Sequence, residues 1–270
     1  MKIINLIENS AVEPFLCEHG LSIYIETENH KILVDTGQSD AFIKNAKLLN
    51  IDLTQVDLVF ISHGHYDHAG GLLAFLEINS QAQIYIHKNA KRKFYSLNGE
   101  KVKYIGMNPL LFDSDRIHWI DKIQIDEIYT FSNVDHTILW PKSNLRLKYD
   151  DNGLLKQDDF SHEQYIVIEQ DDKFILISGC AHNGIINIMK RFKEIYKRDP
   201  DIVISGFHLV QRNYTQQDID CIKEIGNELK NYKTIYYTGH CTGEYAFDLL
   251  KEILGNQLVY MHSASIIKRN

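Results

Sequence analysis

The chain has 270 residues, of which 44% are hydrophobic and 24% are charged, and its formal net charge is −7. This composition is typical of a globular protein with a large core, and the negative balance argues against a general binder of nucleic acids or anionic membranes. No apolar run approaches the roughly 20 residues of a membrane span, and the N-terminal residues are too polar for a signal peptide. The 4 cysteines show no CxxC spacing, so we expect reduced thiols in a cytoplasmic protein.

The first third of the chain predicts short strands and two helices around one polar loop. Apolar runs rich in β-branched residues predict strands, and apolar residues at helical spacing predict helices. In chain order these elements are strands at residues 3–7, 21–26 and 31–35, a helix at 40–49, a strand at 58–61 and a helix at 69–78. The short connections indicate that the strands feed one sheet.

Three histidines and an aspartate lie between the strand at 58–61 and the helix that follows it. His63 and His65 are two residues apart, so both side chains can point the same way from an extended segment. Asp67 and His68 lie where the helix would begin and can turn back toward the strand end. Imidazole and carboxylate groups are ligands for zinc, iron or manganese, and α/β proteins place sites at such turns. The loop therefore predicts a metal site.

The middle of the chain is less regular. The expected elements are a strand at 83–87, a basic helical segment at 88–95, a mixed stretch at 97–122, strands at 123–130 and 137–140, and a charged loop at 142–159. Neither an internal repeat nor a linker is visible. We therefore predict a single domain over residues 1–270 with a decorated middle segment near 88–160.

From residue 164 onward strands and helices again alternate regularly. Strands are predicted at 165–169, 174–178, 202–209, 234–237 and 258–263, and helices at 185–196, 216–229 and 244–254. Strand ends deliver His182, His208, His240 and His262. If these ends share one sheet edge with the loop around Asp67, they supply more ligands than one tetrahedral metal requires. A site with two ions that together activate a water molecule is therefore expected.

Several motifs carry a resemblance to a known family. The run from Ser62 to His68, preceded by the turn at residues 35–37, resembles the HxHxDH signature of the metallo-β-lactamase superfamily. The sequences Gly-Cys-Ala-His at 179–182 and Thr-Gly-His-Cys-Thr-Gly at 238–243 resemble its branch of dihydropteroate-synthase-like and ribofuranosylaminobenzene-phosphate-synthase-like proteins. The resemblance implies an α/β (α+β) fold, a four-layer αββα sandwich with metals at one edge of the two sheets.

The resemblance also implies a ligand set. His63 and His65 would bind one metal, Asp67 and His68 the other, and His240 would be the superfamily's final histidine ligand. Two divalent ions are expected as the cofactor.

The remaining ligands stay open at this point. Cys180 falls where the superfamily carries an aspartate that bridges the metals, and either His182 or His162 would supply the further histidine. A thiolate ligand favours zinc, with iron or manganese as alternatives. Asp35 is expected to orient the metal loop through hydrogen bonds rather than to bind metal.

Other residues are candidates for catalysis or substrate binding. Asp67 and His208 are the expected catalytic groups, and a structural hydrogen bond is the alternative role of His208. His19, His208 and His262 are expected to contact substrate. The basic cluster at residues 91–93 would be a solvated face or would receive a phosphate or carboxylate of the substrate.

We therefore expect a metal-dependent hydrolase whose two metals activate water against a small anionic ester or phosphoester. One alternative is a synthase of the pterin or ribofuranosylaminobenzene-phosphate type, a transferase that releases pyrophosphate. Another is a non-catalytic, metal-loaded binding or sensing protein. The expected partner is a small molecule rather than a nucleic acid or a membrane, and the motifs do not predict an oligomeric state.

Overall fold

The computed structural model describes residues 1–267. The strands are β1 (Lys2–Ile7), β2 (Ser22–Glu26), β3 (Lys31–Val34), β4 (Leu58–Ile61), β5 (Gln83–His87), β6 (Phe94–Asn98), β7 (Lys101–Tyr104), β8 (Ile117–Ile120), β9 (Gln124–Ile125), β10 (Ile128–Phe131), β11 (Leu147–Asp151), β12 (Leu154–Gln157), β13 (Tyr165–Gln170), β14 (Lys173–Ile177), β15 (Ile202–Ile204), β16 (Ile235–Thr238), β17 (Leu258–Tyr260) and β18 (Ile266–Ile267). The helices are α1 (Ala41–Leu48), α2 (Tyr66–Ala69), α3 (Leu72–Ile78), α4 (Ile185–Tyr196), α5 (Gln216–Leu229) and α6 (Glu244–Leu254).

Two seven-stranded sheets form the centre of the molecule. Their strand orders are β18-β1-β2-β3-β4-β5-β8 and β17-β16-β15-β14-β13-β10-β9. Residues from both sheets form one buried cluster, in which Val34 and Phe60 of the first sheet join Ile166 and Ile177 of the second. The two sheets therefore pack face to face, and central strands such as β4 are buried along their whole length.

Helices cover the outer face of each sheet. Phe42 of α1 and Phe75 of α3 are buried with Val59 of the first sheet. On the second sheet, α4, α5 and α6 bury apolar stripes, and α5 begins with a capping box between Thr215 and Asp218. The order helix, sheet, sheet, helix confirms the predicted four-layer αββα architecture.

The middle of the chain differs from the sequence-based prediction. The basic segment predicted as a helix forms a short 3-10 turn (Lys88–Lys91) and then enters β6, and no regular strand forms at 137–140. The stretch predicted as a charged loop contains β11 and β12, which join β6 and β7 in a separate four-stranded sheet. All four residues of β7 and of β12 are exposed. Neither strand buries a face, and neither has the run of apolar residues by which the other strands were predicted.

The parallel parts of both sheets position the chain's polar turns. Strand β3 runs parallel to β4, and β14, β15 and β16 run parallel to one another. Their carboxyl ends carry the segments that contain the predicted ligands, and these segments meet at one edge of the sandwich. Among residues 1–267, no helix combines the length and the apolar character that a membrane crossing demands.

Candidate metal centre

Three histidines form the first ligand group, which consists of His63, His65 and His182. Each is at least 96% buried, and their candidate ligand atoms all lie within 4.8 Å of one another. The Nε2 atoms of His63 and His182 are 3.3 Å apart. The loop after β4 and the turn after β14 thus bring side chains from both sheets to one point.

The second ligand group consists of Asp67, His68, Cys180 and His240, which are all buried. Nε2 of His68 lies 3.2 Å from Nε2 of His240 and 3.2 Å from Sγ of Cys180. An oxygen of Asp67 lies 3.4 Å from Nε2 of His240. This group also combines the loop after β4 with turns of the second sheet.

In three histidines of the ligand groups, Nδ1 points away from the group toward an oxygen that can only accept a hydrogen bond. Nδ1 must therefore carry the proton, and the lone pair of Nε2 faces the group. The Nδ1 donors and their acceptors are His68 with Asp35 at 2.6 Å, His182 with Asn144 at 2.9 Å and His240 with Asn9 at 2.9 Å.

Ser62 extends this arrangement to His63. Its hydroxyl donates to Asp35 at 2.7 Å and so accepts from Nδ1 of His63 at 3.0 Å. Asp35 also accepts the backbone amide of Ser62 at 2.7 Å, which ties the loop after β4 to the turn after β3. The structure thus places Asp35 behind the ligands, in the orienting position expected from the sequence.

These residues fit divalent metal ions. When the imidazoles of His68 and His240 are both neutral, their Nε2 lone pairs face each other at 3.2 Å and repel unless a metal ion or a proton lies between them. Ligand nitrogens around a tetrahedral zinc lie about 3.3 Å apart, as follows from a bond length of about 2.0 Å. In addition, Nε2 of His65 is buried and has no hydrogen-bond partner among residues 1–267.

His162 does not join either of the two ligand groups, although the sequence left it open as an alternative to His182. Its Nδ1 accepts the backbone amide of Gly64 at 3.0 Å, so its Nε2 carries the proton and faces Asp158 at 3.2 Å. Both ring nitrogens are therefore used within the protein. His162 instead supports the turn between His63 and His65.

The electrostatics of the groups suit metal binding. Burial holds the pKa of His63 and of His182 well below the ordinary value, so both imidazoles are neutral and free to coordinate. Burial alone would raise the pKa of Asp67, but His68, His19 and His240 hold it well below its usual range.

The thiol of Cys180 behaves differently. Burial, reinforced by the neighbouring Cys241, raises its pKa well above the usual value. Without a cation the thiol is therefore neutral, and its conversion to a thiolate ligand would depend on the charge of a bound metal.

A cavity of about 470 Å³ opens directly onto both groups. His19 and His208 line it together with Asp67, and Nε2 of His19 lies 3.3 Å from Asp67. His208 packs on His182 with ring centroids 4.1 Å apart, and neither of its buried ring nitrogens has a hydrogen-bond partner among residues 1–267. Burial holds the pKa of His208 well below its ordinary value, so the imidazole is neutral.

The structure leaves two predicted substrate contacts outside this cavity. His262 is exposed and bonds Ser10 through Nδ1 at 2.7 Å, away from the residues that line the cavity. In the basic cluster at 91–93, Lys91 stacks on Trp119 and Arg92 pairs with Asp159 at 3.1 Å. These residues behave as a solvated face, the first of the two roles that the sequence allowed.

Sequence reasoning missed other residues of the site. Asn9 and Asn144 orient ligands, but isolated asparagines in polar segments give no signal of that role. Four basic residues line the cavity, and we call them the basic rim. They come from scattered segments, so no local cluster identified them: Lys101, Lys103, Arg146 and Arg212.

Sequence comparison identifies a family and a known protein to which this chain is similar. The family described as the metallo-beta-lactamase superfamily matches residues 17–144. A 7,8-dihydropterin-6-methyl-4-(beta-D-ribofuranosyl)-aminobenzene-5'-phosphate synthase of Methanocaldococcus jannaschii is 30% identical, over 99% of this chain and 96% of that protein.

Solved structures agree with these relationships. A crystal structure of a metal-dependent hydrolase of the beta-lactamase superfamily is 30% identical, with a TM-score of 0.83 over 100% of this chain and 99% of the other. Zn²⁺-bound PqqB from Methylobacterium extorquens is 12% identical, with a TM-score of 0.58 over the full length of both chains, and is similar in fold alone.

Proposed function

The chain belongs to the metallo-beta-lactamase superfamily, and from that membership we propose that it is a metal-dependent hydrolase of a small anionic ester or phosphoester. The observation that carries the proposal is the pair of adjacent ligand groups at the floor of one cavity. Seven buried side chains with converging lone pairs or carboxylate oxygens exceed the needs of one ion, which supports a dinuclear centre.

In this proposal each group holds one ion. Imidazole and thiolate ligands together favour zinc over harder metals, and iron or manganese is the alternative. When bound, such ions lower the pKa of a water molecule and polarise the substrate's oxygen. The first ion would be held by His63, His65 and His182, and the second by Asp67, His68, Cys180 and His240.

Two side chains at the cavity, Asp67 and His208, would act directly on the water or on the substrate. Asp67 is ionised and fixed by His19, so it can orient the attacking water or accept its proton. His208 is a neutral imidazole with unused nitrogens beside His182, so it can donate a hydrogen bond to a developing oxyanion, or take a proton from the attacking water and then pass it to the leaving group. Both belong to the catalytic set expected from the sequence.

The test is turnover of p-nitrophenyl esters and phosphoesters by the purified, zinc-loaded protein. We expect hydrolysis that chelation abolishes and added zinc restores. His208→Ala should lower kcat by about 10²- to 10⁴-fold, the usual contribution of a general acid or base. His262→Ala is the matched control, because His262 also follows a late strand but lies outside the cavity, and it should leave kcat unchanged.

A synthase is the second candidate, supported by the similarity over 99% of the chain to the Methanocaldococcus jannaschii synthase. Such a reaction would join a pterin-type diphosphate to an aminobenzene-type amine with release of pyrophosphate. The same metal-loaded protein is therefore incubated with a pterin pyrophosphate and p-aminobenzoate. Condensation without turnover in any hydrolytic assay would replace the hydrolase by the synthase, and a metal-loaded protein inactive in both would favour a binding or sensing role.

A further inference from the structure

The basic rim brings together cations from three separate parts of the chain. Lys101 and Lys103 lie on β7 of the small four-stranded sheet. Arg146 ends the 3-10 turn before β11, and Arg212 lies in the segment between β15 and α5. All four line the same cavity as the ligand groups. This convergence on one opening is not expected of basic residues that merely solvate a surface.

The charges of the rim are not neutralised within the protein. None of its four side chains forms an ion pair with an acidic group in residues 1–267, although the chain carries a net charge of −7. Basic residues elsewhere do pair, as in Lys88 with Asp121 at 2.7 Å. The cavity mouth is therefore a local region of positive charge on an acidic protein, which favours an anionic ligand.

Lys103 is also held in position by the metal loop. Its ammonium lies 4.5 Å from the ring centre of Tyr66 and 3.3 Å from the Tyr66 hydroxyl. Tyr66 immediately precedes the ligand Asp67. Lys103 of the basic rim thus contacts the metal-binding loop, and one bound substrate molecule could contact both.

Apolar side chains line the same cavity. They are Leu97, Ile105, Leu147 and Val210. A volume of about 470 Å³ lies within the range of pockets that enclose whole small molecules. The cavity therefore has room for an apolar body in addition to the group that would react at the metals.

We propose that this site takes substrates with two anionic groups, one at the metal ligands and the other, a carboxylate or phosphate, at the basic rim, with an apolar ring-like body between them. The placement of one anionic group at the metal ligands rests on the proposed function. The inference extends that proposal by naming the class of substrate that the same cavity would bind. Guanidinium groups bind carboxylate and phosphate with paired hydrogen bonds, so Arg146 and Arg212 are the specificity-determining residues. Lys101 and Lys103 add charge.

The test measures binding of two non-hydrolysable probes to the zinc-loaded protein by calorimetry. Phenylphosphonate carries one anionic group on a ring, and 4-phosphonobenzoate carries a second on the opposite side. We expect 4-phosphonobenzoate to bind about tenfold more tightly or better, the effect of a charge-assisted hydrogen bond. Arg146→Ala and Arg212→Ala should each reduce this ratio severalfold, with little change in phenylphosphonate binding. Lys101→Met provides a second variant on a different element.

Arg92→Ala is the matched control, because Arg92 is a basic residue of the same region that lies outside the cavity and pairs with Asp159. It should leave the ratio unchanged. Equal binding of the two probes to the wild-type protein, or a ratio that survives removal of both arginines, would overturn the proposal. Because the probes do not react, this result is independent of turnover: a tenfold ratio in a protein without hydrolytic activity would reject the proposed reaction and retain the proposed ligand class.

Discussion

At the scale of single residues, the site depends on where each imidazole keeps its proton. Asp35, Asn144 and Asn9 each accept a hydrogen bond from the outer nitrogen of a histidine, and so direct the other nitrogen's lone pair inward. His162 shows the opposite arrangement, since the Gly64 amide occupies its Nδ1. The neighbours of a histidine, rather than its own position in the sequence, determine whether it can bind metal.

This difference predicts distinct effects of two alanine substitutions. His182→Ala removes a proposed ligand of one of the two proposed ions, so we expect the zinc-saturated variant to retain about half of the metal bound by the wild type. His162→Ala leaves every ligand in place and should keep the wild-type stoichiometry, with affinity weakened by about 10- to 100-fold. Metal content by mass spectrometry after gel filtration measures the first effect, and titration against a chelating dye measures the second. The reverse pattern would assign the ligand role to His162.

The local sequence was enough to predict most residues of the two ligand groups. His63, His65, Asp67 and His68 lie within six residues at a strand end, and so many metal-binding side chains at such a position indicate a metal site. The decision between His162 and His182 could not be made in the same way. It depends on an amide and a carboxylate that reach His162 only in the folded chain.

At the scale of elements, the metal loop is pressed against the turn after β3. The amide of Gly70 donates to the carbonyl of Gly37 at 2.9 Å. A Cβ atom on Gly71 would lie 2.6 Å from the ring of Phe42, and closer still to the carbonyl oxygens of Thr36 and Ser39. Only glycine allows this approach, which keeps Asp35 within reach of the ligands it orients.

We therefore expect Gly71→Ala to separate the two turns. The variant should lose about 1–3 kcal/mol of unfolding free energy, as in other overpacked sites, and its metal affinity should fall because the hydrogen bond between Asp35 and His68 is disturbed. Gly153→Ala is the control, since a Cβ there meets nothing within 4 Å. It should cost only backbone strain and leave metal affinity unchanged. Urea unfolding measures the free energy of unfolding, and zinc titration measures the metal affinity. Equal metal affinity in the two variants would contradict the expectation.

The two central sheets and their helices were predictable because their apolar patterns are strong, whereas the small four-stranded sheet was not. Strand β7 reads Lys-Val-Lys-Tyr and is exposed throughout. Its stability comes from pairing with β6, which sequence periodicity does not report. The same sheet supplies two residues of the basic rim, so the part of the site that we propose to select the substrate was the least predictable.

At the scale of the whole molecule, many buried histidines make the stability of the metal-free protein depend on pH. Burial lowers their pKa, to about 4 for His240, while in the unfolded chain they take up protons below about pH 6.5. The unfolded state then binds more protons than the folded state, so stability falls as the pH decreases from 6.5 toward 4. The site histidines with lowered pKa are His63, His65, His182, His208 and His240.

We accordingly expect the melting temperature of the chelator-treated protein to decrease steadily from pH 6.5 to pH 4. Each such histidine contributes up to about 1.4 kcal/mol per pH unit. Glu8 and Glu163 act in the opposite direction, because burial raises the pKa of both carboxyl groups, to about 7 for Glu8, and their protonated forms are retained in the fold, but they are two groups against five histidines. Thermal unfolding followed by circular dichroism measures the trend, and a melting temperature that stays constant or rises over this interval would contradict it.

Each ligand group draws on both halves of the chain, with His63 and His65 joined by His182, and Asp67 and His68 joined by Cys180 and His240. A ribosome makes the chain from its N-terminus, so the first group is complete only after residue 182 and the second only after residue 240. Until then the early loop offers a passing ion two ligands of each set. If metal ions bind these groups as proposed, full coordination belongs to a late stage of biosynthesis, and a bound ion would show that residues from both sheets have been brought together.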